Sequence, residues 1–150
     1  FIGDDGEFLV GSRKQWITPQ NDNHGFARWA CDHMDELIIG LGPGRHFGEW
    51  WGSGIQRGYG LPKGEKRFSL FNVRRWGDDS IRPKCCDVVP VLYTGNFHTD
   101  YIFLIINRLV IGGSVAAPGF MKPEGVIIYH TAANIMFKKT IENDEKGKGE

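Results

Sequence analysis

The chain has 150 residues, of which 41% are hydrophobic and 13% aromatic, and its 18 Lys and Arg residues balance 18 Asp and Glu residues. The hydrophobic content excludes a disordered chain. The balance of charges excludes a net electrostatic field of the whole protein that would attract nucleic acid or membranes. The longest apolar run, YIFLII (101–106), is far too short to span a membrane, and no signal peptide is visible. The sequence therefore predicts one globular domain, in which any anion site depends on local clusters of charge.

The first half of the chain predicts a hairpin, a helix and short strands. Residues 1–13 contain the Asp-Asp-Gly turn of a β-hairpin, and the Asn and Asp residues of the loop 17–25 suit a helix N-cap. Apolar residues at helical spacing then predict one amphipathic helix from Phe26 to about Gly40, with its Trp and Met in the core. ELIIGLGP and RHFGEWWG predict two short strands around a Gly-Pro-Gly turn, and KRFSLFNVRRW (66–76) predicts a strand with aromatic residues on both faces.

The second half adds further strands and a second helix. CDVVPVLYTG (86–95) predicts a strand that Pro90 places at a sheet edge or bulge. The segment 99–111 fits helix or strand, and Thr99-Asp100 as a cap at its start and Gly112-Gly113 as a stop after it favour helix. Residues 123–130 and 134–141 predict two paired strands, followed by a charged, frayed tail. The fold class predicted from these elements is α+β, with mainly antiparallel strands and two helices.

The three cysteines predict no covalent framework. Cys31 stands alone and Cys85 and Cys86 are adjacent, which fits no disulfide pattern. A zinc site built from Cys85, Cys86 and His98 fits no common ligand spacing. Reduced thiols in a cytoplasmic protein are the simpler interpretation.

Isolated charged residues occur at strand positions where the pattern favours uncharged residues. Arg13 ends a strand in GSR, Glu49 lies between glycine and two tryptophans in FGEWWG, and Glu124 precedes an apolar strand in PEGVII. Lys138 and Lys139 interrupt the last strand, where alternation directs one inward, and an inward lysine needs an anion. Each charge alone also fits a solvated strand end or a salt bridge. Together with an aromatic strand, they predict a phosphate-and-metal site with a wall for base stacking.

The order of these motifs resembles a known enzyme superfamily. GSR, FGEWWG, RFSLFNV, PEGVIIYH and FKK are similar to motifs Ia, III, IIIa, IV and V of the covalent nucleotidyltransferases, which include ATP-dependent RNA and DNA ligases and mRNA capping enzymes. FGEWWGSGIQRGYG with KRFSLFNV looks most like the RNA ligase branch, including its phage-encoded members. The resemblance covers about Gly11 to Thr140. It implies the nucleotidyltransferase fold, an ATP-grasp-like ligase core of mainly antiparallel sheets flanked by helices.

The resemblance implies that residues 1–150 are part of the adenylyltransferase domain of an ATP-dependent RNA ligase. In that family a lysine of a KxDG motif attacks the α-phosphorus of ATP, AMP passes to a 5′-phosphate end, and a 3′-hydroxyl displaces it. The implied ligands are ATP, Mg²⁺ or Mn²⁺, and RNA ends. We expect a monomer in the cytoplasm of a bacterium or a phage-infected host cell. A DNA ligase core and a non-catalytic nucleotide- or nucleic-acid-binding domain of the same fold are the alternatives, and GIQRGYG favours RNA over DNA.

The resemblance assigns the nucleoside contacts to the first three motifs. Arg13 would act in catalysis by contacting the nucleotide or the end phosphate. Glu49 would bind the ribose hydroxyls. Phe68 would stack on adenine, with Phe71 as the alternative if the strand faces are reversed.

The last two motifs supply the phosphate and metal contacts. Glu124 would engage the metal or its waters, Lys138 would neutralise the α-phosphate, and Lys139 would belong to the nucleotide site. Motif V departs from the family because Thr140 stands where a second lysine is expected, and motif IV departs because His130 follows Tyr where a basic residue is common.

The chain contains no KxDG motif. The family places this motif one hairpin strand before GSR, and the chain opens at Phe1 inside a predicted hairpin. We therefore expect a fragment whose nucleophile precedes Phe1. By itself this chain should not form the lysyl-adenylate.

Overall fold

The computed structural model describes residues 1–142. Its internal contacts divide the chain into two compact units, one formed by Phe1–Gly58 with Pro62–Val89 and the other by Tyr59–Leu61 with the residues from Pro90 onward. Helices and small, mostly antiparallel sheets occur together, which confirms the α+β class. Within the described residues, the helices are all too short or too polar to cross a membrane.

The first unit holds the N-terminal hairpin, two consecutive helices and a three-stranded sheet. Its elements in chain order are β1 (Val10–Gly11), β2 (Trp16–Ile17), α1 (Phe26–Asp32), α2 (Met34–Leu41), β3 (Gly48–Gly52), β4 (Lys66–Leu70), α3 (Val73–Trp76) and β5 (Cys86–Val88).

The predicted N-terminal hairpin is confirmed. Ile2 bridges Phe8 across the turn, and the Phe1 amino group donates a hydrogen bond to the carbonyl oxygen of Leu9 (2.8 Å). Gly6 closes this turn with φ of 86°, a conformation that favours glycine. The chain then continues into β1, which pairs with β2 in a second hairpin.

The single helix predicted from Phe26 is divided in two at His33. The His33 ring nitrogen Nδ1 lies 2.8 Å from the carbonyl oxygen of Trp29, and the His33 backbone leaves the helical conformation (φ −110°, ψ 16°). The prediction of a strand in ELIIGLGP is wrong, because Leu37 and Leu41 are four residues apart and are buried on one face of α2. The predicted core position of Met34 is also wrong, since its side chain is exposed.

The sheet of the first unit has the order β3–β4–β5, with β3 antiparallel and β5 parallel to β4. The strand predicted over 66–76 ends earlier, at Leu70, because the Asn72 side chain accepts a hydrogen bond from the Arg75 N–H (3.1 Å) and begins α3. β5 is shorter than predicted and lies at the sheet edge, as Pro90 indicated. The core beneath this sheet is formed by Ile2, Ala30, Leu37, Leu41, Phe68, Leu70, Trp76 and Cys86.

The second unit holds a helix, α4 (Thr99–Gly112), and a hairpin of β6 (Gly125–His130) and β7 (Ile135–Thr140). Both predictions are confirmed. The cap of α4 is His98, whose ring accepts a hydrogen bond from the Asp100 N–H (3.3 Å), and the helix ends before Gly113 with φ of 79°. From residue 143 on, the charged tail lies outside the described residues.

Candidate functional site

Arg13 lies at the tip of the hairpin that joins β1 to β2, beyond the end of the strand. The tip is fixed by Ser12, whose Oγ accepts hydrogen bonds from the N–H groups of Lys14 and Gln15 (3.3 Å each). These four residues and Asn23 line a shallow depression of about 370 Å³. Because the Arg13 side chain is exposed, its guanidinium is accessible to an anion in solution.

The register of β3 and β4 separates the predicted nucleoside-binding residues. Glu49 pairs with Ser69, and Trp50 pairs with Phe68. Paired residues share a face of a sheet, whereas neighbours along a strand lie on opposite faces. Glu49 and Phe68 therefore lie on opposite faces of the same sheet.

Phe68 belongs to the core and does not fit the base-stacking role. It is 7% exposed, and its ring centroid lies 5.0 Å from that of Phe26 and 5.5 Å from that of Trp29 in α1. A nucleobase could reach this ring only if α1 moved away from the sheet. The physical reason is that the apolar face of α1 covers this side of β4.

The alternative residue, Phe71, lies on the Glu49 side. Its N–H donates a hydrogen bond to the carbonyl oxygen of Phe47 (2.9 Å), which extends the β3–β4 ladder by one pair beyond Gly48 and Leu70. By alternation, Phe71 shares a face with Ser69 and Glu49. Its ring is also partly exposed. Of the two phenylalanines, Phe71 is the one that a ligand at Glu49 could contact.

The glycine and tryptophans around Glu49 have packing roles. A Cβ on Gly48 would lie 2.6 Å from the Phe68 ring and 2.6 Å from the Ser69 carbonyl oxygen. The indole nitrogen of Trp50 donates to the His24 carbonyl oxygen (3.1 Å), and that of Trp51 donates to Ser69 Oγ (2.8 Å). The strand on both sides of Glu49 is thus immobilised, while the Glu49 side chain remains exposed.

In the second unit, Glu124 and Lys138 form an ion pair. Lys138 Nζ lies 2.5 Å from Glu124 Oε1, with the lysine side chain 50% and the glutamate side chain 30% exposed. Glu124 immediately precedes β6, and its carbonyl oxygen accepts a hydrogen bond from the N–H of Ile141 just after β7 (2.9 Å). The β6–β7 ladder therefore brings together two residues that are 14 positions apart.

Lys138 and Lys139 occupy opposite faces of the hairpin, as alternation predicted. Lys138 pairs with Ile127, and Lys139 pairs with Val126. Thr140, which stands where the family has a second lysine, pairs with Gly125 at the end of the ladder. Lys138 is thus on the Ile127 face of the hairpin, and its ammonium contacts Glu124. Neither lysine is buried, so the inward-facing lysine that alternation predicted is not observed.

Tyr59 is a residue that the sequence reasoning missed. Its hydroxyl accepts a hydrogen bond from the Glu124 N–H (3.4 Å), and its ring packs at 4.8 Å from the ring of Phe120. Tyr59 has φ of 51° and lies between two glycines with positive φ, so GYG forms an irregular turn. The signal in the sequence was a tyrosine between two glycines, at the end of the segment that carried the resemblance.

The predicted metal role of Glu124 depends on the other side chains that could share the ion. Over residues 1–142, no group of three or more His, Cys, Asp or Glu side chains is placed to hold a metal ion. Mg²⁺ is commonly held by only one or two carboxylates and by substrate phosphates. Glu124 therefore fits an ion that is delivered with nucleotide phosphates, and does not fit a binding site made by the protein alone.

The three cysteines are free thiols, and two of them, Cys85 and Cys86, have little tendency to ionise. Burial, together with the nearby Glu36 carboxylate, raises the pKa of Cys85 to about 11. Burial and the neighbouring Cys85 raise the pKa of Cys86. Thiolates are the nucleophilic and metal-binding form of cysteine, so neither residue is suited to such a role.

No protein-family model matches the chain, and neither curated proteins nor solved structures gave a match.

Proposed function

We propose that this chain is part of the adenylyltransferase core of an ATP-dependent RNA ligase, with a nucleotidyltransferase fold. The observation that carries the proposal is the contact between Glu124 and Lys138. The two residues come from separate motifs of the resemblance, which assigns Glu124 to the metal or its waters and Lys138 to the α-phosphate. Their 2.5 Å approach supports the proposal that both belong to one site.

In this proposal, Glu124 and Lys138 bind the phosphates of ATP together with the accompanying cation. An ammonium group stabilises the charge that builds on phosphoryl oxygens during transfer. In the absence of nucleotide, Glu124 compensates the charge of Lys138 and orients its Nζ along the strand. When phosphate binds, Lys138 neutralises the α-phosphate and Glu124 becomes available to the accompanying cation. That cation, Mg²⁺ or Mn²⁺, would supply further neutralisation of the phosphate charge.

Nucleoside roles are proposed for residues of the first unit from the geometry of that unit alone. Glu49 accepts hydrogen bonds from the ribose hydroxyls, which suits an exposed carboxylate on an immobilised strand. Phe71 replaces Phe68 as the base-stacking residue, because Phe71 lies on the Glu49 face of the sheet. Arg13 contacts the 5′-phosphate of the RNA end.

The first test measures equilibrium binding of ATP with Mg²⁺ to the chain by titration calorimetry. Lys138→Gln should weaken binding roughly ten- to hundredfold, because it removes a charge-assisted hydrogen bond to phosphate. The matched control is Arg108→Gln, which removes one exposed positive charge from α4 in the same unit. Equal losses in the two variants, or no ATP binding by the unaltered chain, would contradict the proposal.

The second test separates the base-stacking candidates and uses the same titration. Phe71→Leu should weaken ATP binding without loss of stability. Tyr101→Leu, on the exposed surface of α4, is the control and should leave ATP affinity unchanged. Unchanged ATP affinity in Phe71→Leu would remove Phe71 from the site.

The covalent step requires the family's lysine, which residues 1–150 do not place in a KxDG motif, so it is tested on a polypeptide in which an added N-terminal KxDG segment restores that lysine. With ATP labelled at the α-phosphate, that polypeptide should become covalently labelled, and Glu124→Ala and Lys138→Ala should abolish the label. Full labelling of either variant would refute its catalytic assignment. Sealing of matched RNA and DNA ends by the same polypeptide then distinguishes an RNA ligase from a DNA ligase.

A further inference from the structure

Trp16 presents an indole ring at the surface of the β1–β2 hairpin. Its side chain is 52% exposed, although tryptophan is usually well covered in folded proteins. Its partner across the hairpin is Gly11, and a Cβ on that glycine would lie 3.1 Å and 3.3 Å from two atoms of the indole. The glycine thus lets the ring lie against the backbone of β1, which supports one side of the ring.

One cation lies near this indole, and two more lie at the tip of the same hairpin. The guanidinium carbon of Arg45 lies 5.9 Å from the centre of the Trp16 ring and 5.9 Å from the centre of the Phe1 ring. Arg13 and Lys14 lie at the tip of the same hairpin, three and two positions before Trp16, and both are exposed. We refer to Trp16, Arg13, Lys14 and Arg45 as the Trp16 surface.

We propose that the Trp16 surface binds single-stranded nucleic acid, with one base stacked on the indole and the adjacent phosphates bound by the three cations. The combination of a flat, exposed aromatic ring with exposed cations is the chemistry by which proteins bind single strands. In this proposal, Arg13 and Lys14, which lie between β1 and β2 on the same hairpin, bind the phosphates that flank the stacked base. The carboxylates of an acidic peptide would pair with the cations, but they would not stack on the flat indole ring.

The choice of an RNA end as the natural ligand rests on the proposed ligase function, since Arg13 is shared between the two proposals. The surface itself depends only on the geometry of the hairpin and Arg45. RNA and DNA single strands share the same stacking and phosphate chemistry, and the 2′-hydroxyl is what distinguishes them.

The test measures binding of a short 5′-phosphorylated single-stranded RNA, labelled at its 3′ end, by fluorescence anisotropy in the absence of ATP. Trp16→Ala should weaken binding about five- to hundredfold, the loss of one stacked base. Phe103→Ala, which removes an exposed aromatic ring from α4, is the control and should bind like the unaltered chain. Trp16→Phe should retain most of the affinity, while the RNA-dependent quenching of tryptophan fluorescence is lost.

Salt dependence tests the cations. Arg13→Gln with Lys14→Gln should reduce the slope of log affinity against log salt by about 0.7 for each phosphate contact removed. Lys63→Gln, an exposed lysine in the loop before β4, should leave the slope unchanged. A DNA strand of the same sequence, measured in parallel, shows whether the 2′-hydroxyl contributes.

Two results would overturn the inference. One is an RNA affinity that is equal in Trp16→Ala and Phe103→Ala. The other is competition by inorganic polyphosphate as strong as competition by RNA, since polyphosphate has charge and no bases. If the unaltered chain does not bind ATP but its RNA binding still depends on Trp16, the ligase proposal is refuted and the proposed role of the Trp16 surface is not.

Discussion

The β3–β4–β5 sheet and the β6–β7 hairpin both alternate charged and apolar residues, but they differ in how much of that pattern they bury. In the sheet, Trp50 and Phe68 pack against the aromatic rings of α1. In the hairpin, large side chains on both faces are about half exposed, among them Ile127, Tyr129, Met136 and Phe137. The position of Glu49 is thus fixed by a core, whereas Glu124 and Lys138 are positioned by a ladder and an ion pair. Changes in the sheet should therefore affect stability most, and changes in the hairpin should affect binding most.

The largest effect is expected from Phe68→Ala. Truncating a buried phenylalanine removes apolar contacts and leaves a cavity, which costs about 3–5 kcal/mol. Phe68 is 7% exposed and contacts Phe26 and Trp29. Urea unfolding followed by tryptophan fluorescence measures the free energy of unfolding.

The matched control is Phe137→Ala in β7, where the ring is 50% exposed. A substitution at such a position usually changes stability by less than about 0.5 kcal/mol. If Phe68→Ala were as stable as Phe137→Ala and lost ATP binding, the adenine-stacking role first assigned to Phe68 would be restored.

A smaller loss of stability is expected from Gly48→Ala. The added Cβ would lie 2.6 Å from both the Phe68 ring and the Ser69 carbonyl oxygen, so β3 would have to shift, at a cost of about 1–3 kcal/mol. Gly112→Ala at the end of α4 meets no atom within 4 Å and should be neutral or stabilising by about 0.5–1 kcal/mol. Thermal unfolding of the two variants compares them directly. Equal stability would show that β3 and β4 are not closely packed at Gly48.

The sequence predicted the elements best where a pattern was local. The helix of α4 was predicted from the residues at its two ends, and the pairing of β6 with β7 from two neighbouring apolar runs; both predictions were confirmed. The break at His33 was missed, since it depends on a side-chain contact to Trp29 rather than on any breaker residue. The prediction for KRFSLFNV left two strand faces open, and only the register with β3 shows that Phe71 shares a face with Glu49.

The sequence predicted that β6 pairs with β7, but it did not give the register, so a shared site for Glu124 and Lys138 was foreseeable only through the resemblance. The Trp16 surface was missed for a related reason. Nothing local indicates that Gly11 lies under the indole or that Arg45, from the other side of α1 and α2 in the sequence, approaches it.

Helix α1 covers the sheet, and the Asp22 side chain caps the N-terminal turn of this helix. Removal of the Asp22 side chain should therefore cause the next largest loss of stability. The Asp22 carboxylate accepts hydrogen bonds from the N–H groups of Ala27 (2.7 Å), Arg28 (3.0 Å) and Asn23 (2.6 Å). Asp22→Ala should lower the free energy of unfolding by about 1 kcal/mol at neutral pH. Asp32→Ala, at the exposed far end of α1, is the control and should change it by less than about 0.5 kcal/mol.

The pH dependence of this cap has a definite sign. Burial alone would raise the pKa of Asp22, but the three N–H donors and the Arg28 charge together hold the pKa below its usual 3.8. The stabilisation is therefore present above pH 3.8 and is lost as the pH falls through the lower, folded-state pKa. The stability difference between the unaltered chain and Asp22→Ala should shrink on acidification, and a difference that grows would contradict the capping role.

The smallest effect on stability is expected from the ion pair that carries the functional proposal. Glu124 and Lys138 are both partly exposed, and a pair of this kind contributes about 0–1 kcal/mol. A double-mutant cycle with Glu124→Gln and Lys138→Met, measured by urea unfolding at low and high salt, should give a coupling within that range that falls as salt is added. Lys138→Met should nevertheless weaken ATP binding, because the phosphate then loses its ammonium partner. Such a combination would show that the contact serves ligand binding more than folding. A coupling of several kcal/mol that is insensitive to salt would mean that the ion pair stabilises the hairpin about as strongly as an apolar core contact stabilises the sheet, and the contrast between the two regions would no longer stand.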